Sequence, residues 1–509
     1  MKRIKNSIIK CLVLMLFFAN ISFQANSQQA NTSYFIENSP LRHTLNPAFR
    51  PKSDYYLSLP IIGSTYIGLG NNSISLHDVI YNYNGNTVSF LDIEGGNLSK
   101  FYSSLQHTTV ARADAQINLL SFGFKNKDSF WSFTVNQVID TMVGIPKDLF
   151  KLLLFGTPEI DANTYNLKKL QSDATAYTEA AIGYSIPLGK KWMVGAKLKL
   201  LYGSANFSTK NRSFKLETGL DKFILNGSGS VNYSSPLQLQ LPNDIYSILF
   251  SKPSTIIEWV RKPSGLGAGV DLGVDYKLNN EIRLSASLTD VGFINWYNNP
   301  QNVNYGVDYF YDGIANLNNS GQLGSLLTTY NQQTTPNQIV DSLYTAILNS
   351  VSVSNSNNSY TTGTTAKLNI AAEYNLLENK MSIGLLSRSY FFKNTITEEI
   401  TFSVNAKPND KINTSVSYSI FNGGLNSMGI GIGWKIGILH WLLAADYIPF
   451  EKTNLSLREL NLTNSEILIP LPYKTKSFNF SIGVNFVFDK DVRRVGIHKY
   501  KAGKTCNCN

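Results

Sequence analysis

The sequence predicts an all-β chain folded as a transmembrane antiparallel β-barrel of about 14 strands. Three observations predict it: strict alternation of apolar and polar residues repeated along the chain, short turns that alternate with long connections, and an aromatic terminal strand. Alternation with a period of two places every second side chain on one face of a strand. Leu266, Ala268, Val270, Leu272, Val274 and Tyr276 alternate with Gly267, Gly269, Asp271, Gly273 and Asp275. The same pattern recurs in Ile282–Leu288, Leu368–Tyr374, Ile400–Ala406 and Met428–Ile436. A soluble sandwich with one wet face would also alternate. Many of these runs, however, approach the ~9–11 residues that a tilted strand needs to cross a bilayer.

The connections separate into two kinds. Lys125–Asp128, Pro187–Lys191, Lys277–Glu281, Leu377–Lys380 and Lys407–Lys411 are short and polar. Asn71–Ala113, Ile139–Thr175, Pro236–Ser264, Asn295–Lys367 and Pro449–Ser477 are longer. Outer-membrane barrels have short periplasmic turns and long outer loops. Counting back from a periplasmic C-terminus puts every short turn on the periplasmic side. The count is about 16 strands with the Ser- and Asn-rich Phe207–Tyr233 hairpin and about 14 without it, both even. The expectation is 14, with that hairpin an extracellular protrusion.

Composition agrees with a barrel and excludes other classes. Of 509 residues only 16% are charged, against ~25% in ordinary soluble domains. The 27 Tyr and 28 Phe supply aromatic girdles, and mean hydropathy of -0.11 is far from that of a helical membrane protein. The net charge is +10, and its Lys and Arg are scattered rather than striped, so no nucleic-acid footprint is present.

Residues 1–27 read as a secretory leader. A basic start precedes an apolar run from Ile8 to Phe18, too short for a helical span, and Ala25 and Ser27 form a small-residue cleavage site before Gln28. Removing Lys2, Arg3, Lys5 and Lys10 leaves 41 basic against 35 acidic residues, or +6. Cys11 lies in the leader, and Cys506 and Cys508 alone cannot make a disulfide framework.

The domain plan expected is a signal peptide over 1–27, an N-terminal plug or hatch over 28–53, the barrel over 54–489 and a periplasmic tail over 490–509. Tyr34–Lys52 carries Pro40, Pro47 and Pro51, and proline disfavours a wall strand. The segment precedes the first strand, near Tyr55, so its end lies beneath the barrel opening, and Asn46–Phe49 is expected to pack in the lumen. Within the long loops, Pro146–Phe155, Asp244–Arg261 and Asn337–Leu348 carry helical patterns.

No catalytic motif is present: there is no G-x-S-x-G, H-E-x-x-H or Walker loop. The five His are dispersed, no metal ligand set is seen, no cofactor is expected, and the chain is read as a non-enzyme. Lys197, Lys199, Asp271, Asp275, Arg283, Lys367, Glu373 and Lys435 share faces with Gly and Ser. A charge on the lipid face costs ~2–4 kcal/mol at the midplane, so these residues should point into the lumen. They form either a structural network of paired charges or a path for a solute or proton.

Two resemblances add to this reading. Ser481, Gly483, Phe486 and Phe488, with Phe478, Phe480, Ile482 and Val484, resemble the terminal β-signal read by the barrel assembly machinery, although a tail follows here. Asn46-Pro47-Ala48-Phe49 resembles the NPA-type element of FadL-like barrels. Leu266–Tyr276 and Arg283–Phe293 look like an uncharacterised Bacteroidota family of outer-membrane barrels, similar to FadL-like and PorV-type proteins. The resemblance implies a cell outer-membrane location and a lumen plugged by the N-terminal segment. It also implies one of two functions. One is passage of hydrophobic or small solutes; the other is a non-transporting scaffold or shuttle for secretion or surface assembly. The partners expected are outer-membrane lipid, the assembly machinery, and a hydrophobic solute or secretion-system proteins.

Overall fold

A computed structural model describes residues 31–84, 86–156, 163–219, 223–235, 263–311, 350–392, 395–421, 425–446, 452–456, 468–472 and 476–489. The leader, the candidate helices Asp244–Arg261 and Asn337–Leu348, the tail and Cys506 and Cys508 lie outside these residues.

Fourteen wall strands among the described residues close into an antiparallel barrel. The first, β1, is in two pieces, Tyr55–Ser58 and Thr65–Asn71. It is followed by β2 (Thr108–Asn126), β3 (Ser129–Pro146), β4 (Gln171–Leu188), β5 (Trp192–Thr218), β6 (Gly265–Lys277) and β7 (Ile282–Trp296). The second half comprises β8 (Ala366–Leu376), β9 (Met381–Phe392), β10 (Thr395–Asn409), β11 (Ile412–Phe421), β12 (Leu425–Ile436), β13 (Leu439–Asp446) and β14 (Ser477–Phe488). Each pairs with its sequence neighbour, and β14 pairs with β1 to close the wall, for example Phe488 opposite Tyr55 and Ile482 opposite Thr65.

The alternation sorts as the fold requires. Leu272, Leu284, Ile370, Phe402, Ile432 and Trp434 face outward and are exposed, whereas Asp271, Ser285, Asn369, Ser403 and Asn405 face inward and are buried. Such an apolar exterior is a surface for hydrocarbon, as on a membrane-spanning barrel. No helix among the described residues is long and apolar enough to cross a membrane; the strands cross it. Trp131, Tyr184, Trp192, Tyr374, Trp434 and Trp441 stand exposed within a few residues of the short turns, as an interfacial aromatic belt does. Trp131 pairs with Tyr184 at 4.7 Å and Trp192 with Tyr276 at 4.2 Å between ring centroids.

Irregularities in the strands leave the wall closed, and two of them bear on the lumen. Between the pieces of β1, Leu59–Ser64 leaves the strand. Ile61 N still donates to Asn118 O, Asn118 N to Ser64 O and Val484 N to Ile62 O, at 2.7–2.8 Å. In β7 the register with β6 shifts, so that Val270 faces Val291 but Leu272 faces Leu288. Asp290 sits in this bulge at φ 60°, and the outward face moves from even to odd residues, Leu288 to Val291.

Outside the membrane, β5 continues as a sheet. Its upper half pairs with Phe223–Ser234, which pairs with Pro300–Tyr311, which pairs in turn with Val351–Ser356. The expected Phe207–Tyr233 protrusion is therefore the continuation of a 27-residue strand and its partner. A helix covers Lys147–Phe155 within the predicted Pro146–Phe155. Its Phe150 packs with Phe90, Phe101 and Leu105 in a small core beside the barrel mouth.

Candidate functional site: the occupied lumen

Asn31–Ser53 lies inside the barrel, and almost all of it is buried. Short helical turns at Asn31–Phe35 and Arg42–Thr44 fold it back on itself. The Arg42 guanidinium donates to Tyr34 O through Nε (3.2 Å) and Nη2 (2.8 Å) and lies 4.1 Å from the Phe49 ring centre. Tyr34 meets Phe35 and Phe49 edge-on at 5.5 and 5.2 Å, and with Leu45 they pack on Ala371 and Leu386 of the wall. Each such fully buried apolar side chain contributes ~1.5–3 kcal/mol.

Polar links then fix the segment around the circumference. At one end Thr32 meets Asp446 and Ser417, its hydroxyl 2.6 Å from Ser417 Oγ, while Asn31 N also donates to Asp446. Asn38 Nδ2 donates to Gly433 O at 2.9 Å and Lys411 O at 3.2 Å. Leu45 O accepts from Ser287 Oγ (2.8 Å) and Asn369 Nδ2 (3.3 Å). At the other end Arg50 Nη1 donates to Asp128 O at 2.8 Å, beside a short turn.

The Asn46-Pro47-Ala48 element has a local logic. Asn46 Oδ1 accepts from Ala48 N at 2.9 Å, an Asx turn around Pro47, which has no N–H to satisfy. That leaves Asn46 Nδ2 to donate to Val274 O and Ala286 O, each at 3.2 Å, on β6 and β7. The approach is close because Gly195 and Gly273 stand opposite. A Cβ on Gly195 would strike the Pro47 carbonyl, and one on Gly273 would strike the Asn46 amide oxygen and lie 2.8 Å from Pro47 Cδ.

The sequence-predicted charges all point inward, and most are paired. Arg283 makes a two-pronged bond to Asp275, with Nε–Oδ1 at 2.6 Å and Nη2–Oδ2 at 2.9 Å. Lys199 lies 3.2 Å from Glu179 and 2.9 Å from Asp271 and also contacts Asp290, which pairs with Lys367 at 3.0 Å. Lys197 is buried opposite Asp271 in the register. Glu373 pairs with Lys407 at 3.1 Å. Lys435 pairs with Asp489 at 2.8 Å at the edge of the barrel. Apart from Lys435, the structure thus divides them into one layer around Lys199 and another around Arg283.

Sequence reasoning missed the residue that ties the second layer to the inserted segment. Glu37 lies 3.0 Å from both Arg283 Nη1 and Lys407 Nζ. Burial opposes its charge, but Lys407, Arg42 and Arg283 outweigh it and hold the carboxyl at about 2. Burial, reinforced by Lys197, pushes His43 well below the usual imidazole value, so it is neutral beside the Tyr56 hydroxyl at 2.7 Å. Glu37 carried no periodic signal, and Lys407 was assigned to a turn. Asp290, Glu179, Asp114 and Asp140 were also missed. The switch in outward phase after Leu288 was the available signal for Asp290.

Two internal cavities adjoin these layers, of about 40 Å³ beside Arg42 and Leu45 and about 30 Å³ among Asp114, Glu179 and Lys367. They are of the size that holds single waters. Among the described residues no group of three or more His, Cys, Asp or Glu is placed to hold a metal ion.

Residues 47–446 match the model of a family of unknown function, DUF5723. The chain belongs to that family. No curated protein matches it. Among solved structures it is similar to a Pseudomonas aeruginosa FadL homologue, at 10% identity over 92% of this chain and 100% of that one, with a TM-score of 0.39. It is also similar to the toluene transporter TodX of Pseudomonas putida (9% identity, 92% and 99% covered, TM-score 0.36). A third is the toluene transporter TbuX of Ralstonia pickettii (8% identity, 92% and 97% covered, TM-score 0.37). Likeness at this level bears on neither solute nor mechanism, and for this family member both rest on the lumen itself.

Proposed function

We propose that the protein is a plugged outer-membrane channel, in which Asn31–Ser53 closes the lumen and its displacement admits small solutes. The observation that carries this reading is the kind of bond holding the segment. Beside its apolar packing on Ala371 and Leu386, it is held by separate polar and ionic links, among them those of Thr32, Glu37, Asn38 and Asn46, on a wall that is closed without it. A barrel whose wall does not depend on its plug can release the plug and remain folded. Apart from the apolar patch at Ala371 and Leu386, the lining left behind is largely Ser, Asn and paired charge, which favours small polar solutes over hydrophobic ones.

In this reading residues 1–27 are a leader removed on export, 28–53 the plug, 54–489 the barrel and 490–509 a periplasmic tail. Ser481, Gly483, Phe486 and Phe488 are the signal for the assembly machinery. The test is liposome swelling in sugars of graded size, comparing the full protein with a chain lacking Tyr34–Arg50. Swelling confined to the shortened, heat-modifiable protein supports the proposal, and equal permeability refutes it.

One observation favours a second reading, a non-transporting scaffold: the cavities beside Arg42 and beside Lys367 measure about 40 and 30 Å³, beneath an elaborate outer sheet. Under that reading the shortened protein is as tight as the full one.

A further inference from the structure

The outer face of the wall carries a depression of about 640 Å³ across β4–β8. Its floor is the bare backbone of Gly195 and Gly273 with Ala196 and Ala286, and its rim is Tyr184, Ile186, Leu272, Leu288 and Leu368. Small residues at the centre of a strongly apolar wall leave this hollow. Because the inner side of the same glycines is occupied by Asn46–Ala48, the hollow is backed by a solid layer and opens only toward the membrane.

Its position along the strands is set by register. Trp192 faces Tyr276, and two residues further from the turns Val194 faces Val274, both lining the hollow. At ~3.3 Å per residue the hollow begins less than ~10 Å from the turns, in the leaflet on the short-turn side. The turns directly below carry Lys190, Lys191 and Lys277, all exposed, against Glu281. Lys277 N donates to Lys191 O at 2.8 Å, and Lys191 Nζ donates to Leu278 O at 2.9 Å, so the two turns are tied together. The Trp192–Tyr276 pair, its rings in tilted contact, lies between the lysines and the hollow, where aromatic side chains mark the headgroup level.

We infer that this is a binding site for an anionic glycerophospholipid of the periplasmic leaflet. One acyl chain lies in the hollow against Ala196, Ala286 and the glycine backbones, and the phosphate is held by Lys190, Lys191 and Lys277. The inference rests on the short turns facing the periplasm and is independent of whether the lumen conducts. A flat barrel wall is solvated by lipids without preference. A hollow beneath a cluster of three lysines with one acid selects by both shape and charge, since basic residues at a membrane surface each favour anionic lipid.

The test is native mass spectrometry of the full-length barrel released from bilayers of equal phosphatidylglycerol and phosphatidylethanolamine. The site predicts one retained phosphatidylglycerol per barrel. Replacing the three lysines (K190Q, K191Q and K277Q together), changes in exposed turns that spare the wall, should lower the preference for the anionic lipid by about tenfold or more. Filling the hollow with A286F should abolish retention of either lipid, in protein verified as folded by heat-modifiable mobility. Equal retention of both lipids by the unaltered protein would overturn the inference. So would retention unchanged in both variants.

Discussion

Replacing Glu37 tests the plug most economically, because one side chain joins it to two wall strands. Glu37 is 3.0 Å from Arg283 and from Lys407, and the three side chains are 18%, 20% and 8% exposed. Removing one member of a buried pair typically costs ~3–5 kcal/mol, mostly because a charge is stranded. Here neither cation is stranded, since Arg283 keeps Asp275 and Lys407 keeps Glu373. What is lost in Glu37→Gln is the charge on two hydrogen bonds, offset by weaker bonds from the amide. The net is about 2 kcal/mol, equivalent to about a 30-fold rise in the displaced fraction. Glu37→Lys adds repulsion from Arg283, Lys407 and Arg42 and should displace the segment further. Single-channel recording in planar bilayers reads this as open probability, rising from the wild type to the Gln variant and again to the Lys variant. A Lys variant that inserts, shows heat-modifiable mobility and stays as silent as the wild type would refute the reasoning.

The same carboxylate sets a pH window. Its pKa is lowered from 4.5 to about 2, so its contribution to plug seating is complete above ~4.5 and is lost as pH falls toward 2. The difference in open probability between E37Q and the wild type should be level from pH 8 to 5 and shrink below about 4.5. Gly195→Ala should loosen the plug by overpacking, at ~1–3 kcal/mol, because the new methyl meets the backbone of Pro47; liposome leakage should rise while barrel assembly is unchanged. Replacing Phe486 and Phe488 together with Asp places two charges on the lipid face and should sharply reduce the heat-modifiable form in outer membranes; normal levels would contradict the orientation of β14. N-terminal sequencing of protein from outer membranes should begin at Gln28, and an intact Met1 would exclude the leader.

The wall was legible because lipid outside and polar residues inside impose one period on every strand. Where that period holds, as in Ile282–Leu288 or Ile400–Ala406, residue order alone assigns each side chain its face. Legibility fails where the period is interrupted for a local reason. Asp290 escapes it because a bulge turns two successive residues, Thr289 and Asp290, toward the lumen. Lys407 opens the short polar run Lys407–Lys411 that reads as a turn, yet β10 runs on to Asn409. The upper half of β5 is Ser- and Asn-rich because it leaves the membrane, so its continuity with the wall is invisible in hydropathy. The segment ahead of Tyr55 was recognisable by its prolines as something other than a wall strand. Its bonds were not, since Thr32 and Ser417 lie 385 residues apart and nothing periodic links them.

The central claim is that the N-terminal segment is seated inside the barrel, and a disulfide between Thr32→Cys and Ser417→Cys tests it most directly. The two hydroxyl oxygens are 2.6 Å apart, and thiols in their places would be near the ~2.05 Å bonding distance. The pair is introduced with Cys506 and Cys508 replaced by Ser, oxidised in intact outer membranes, and read by mass spectrometry of the linked peptides. The account predicts near-complete linkage, a silent channel when oxidised, and openings that return on reduction in the E37K background. Two unlinked cysteines, both labelled by a water-soluble maleimide in a folded barrel, would contradict it.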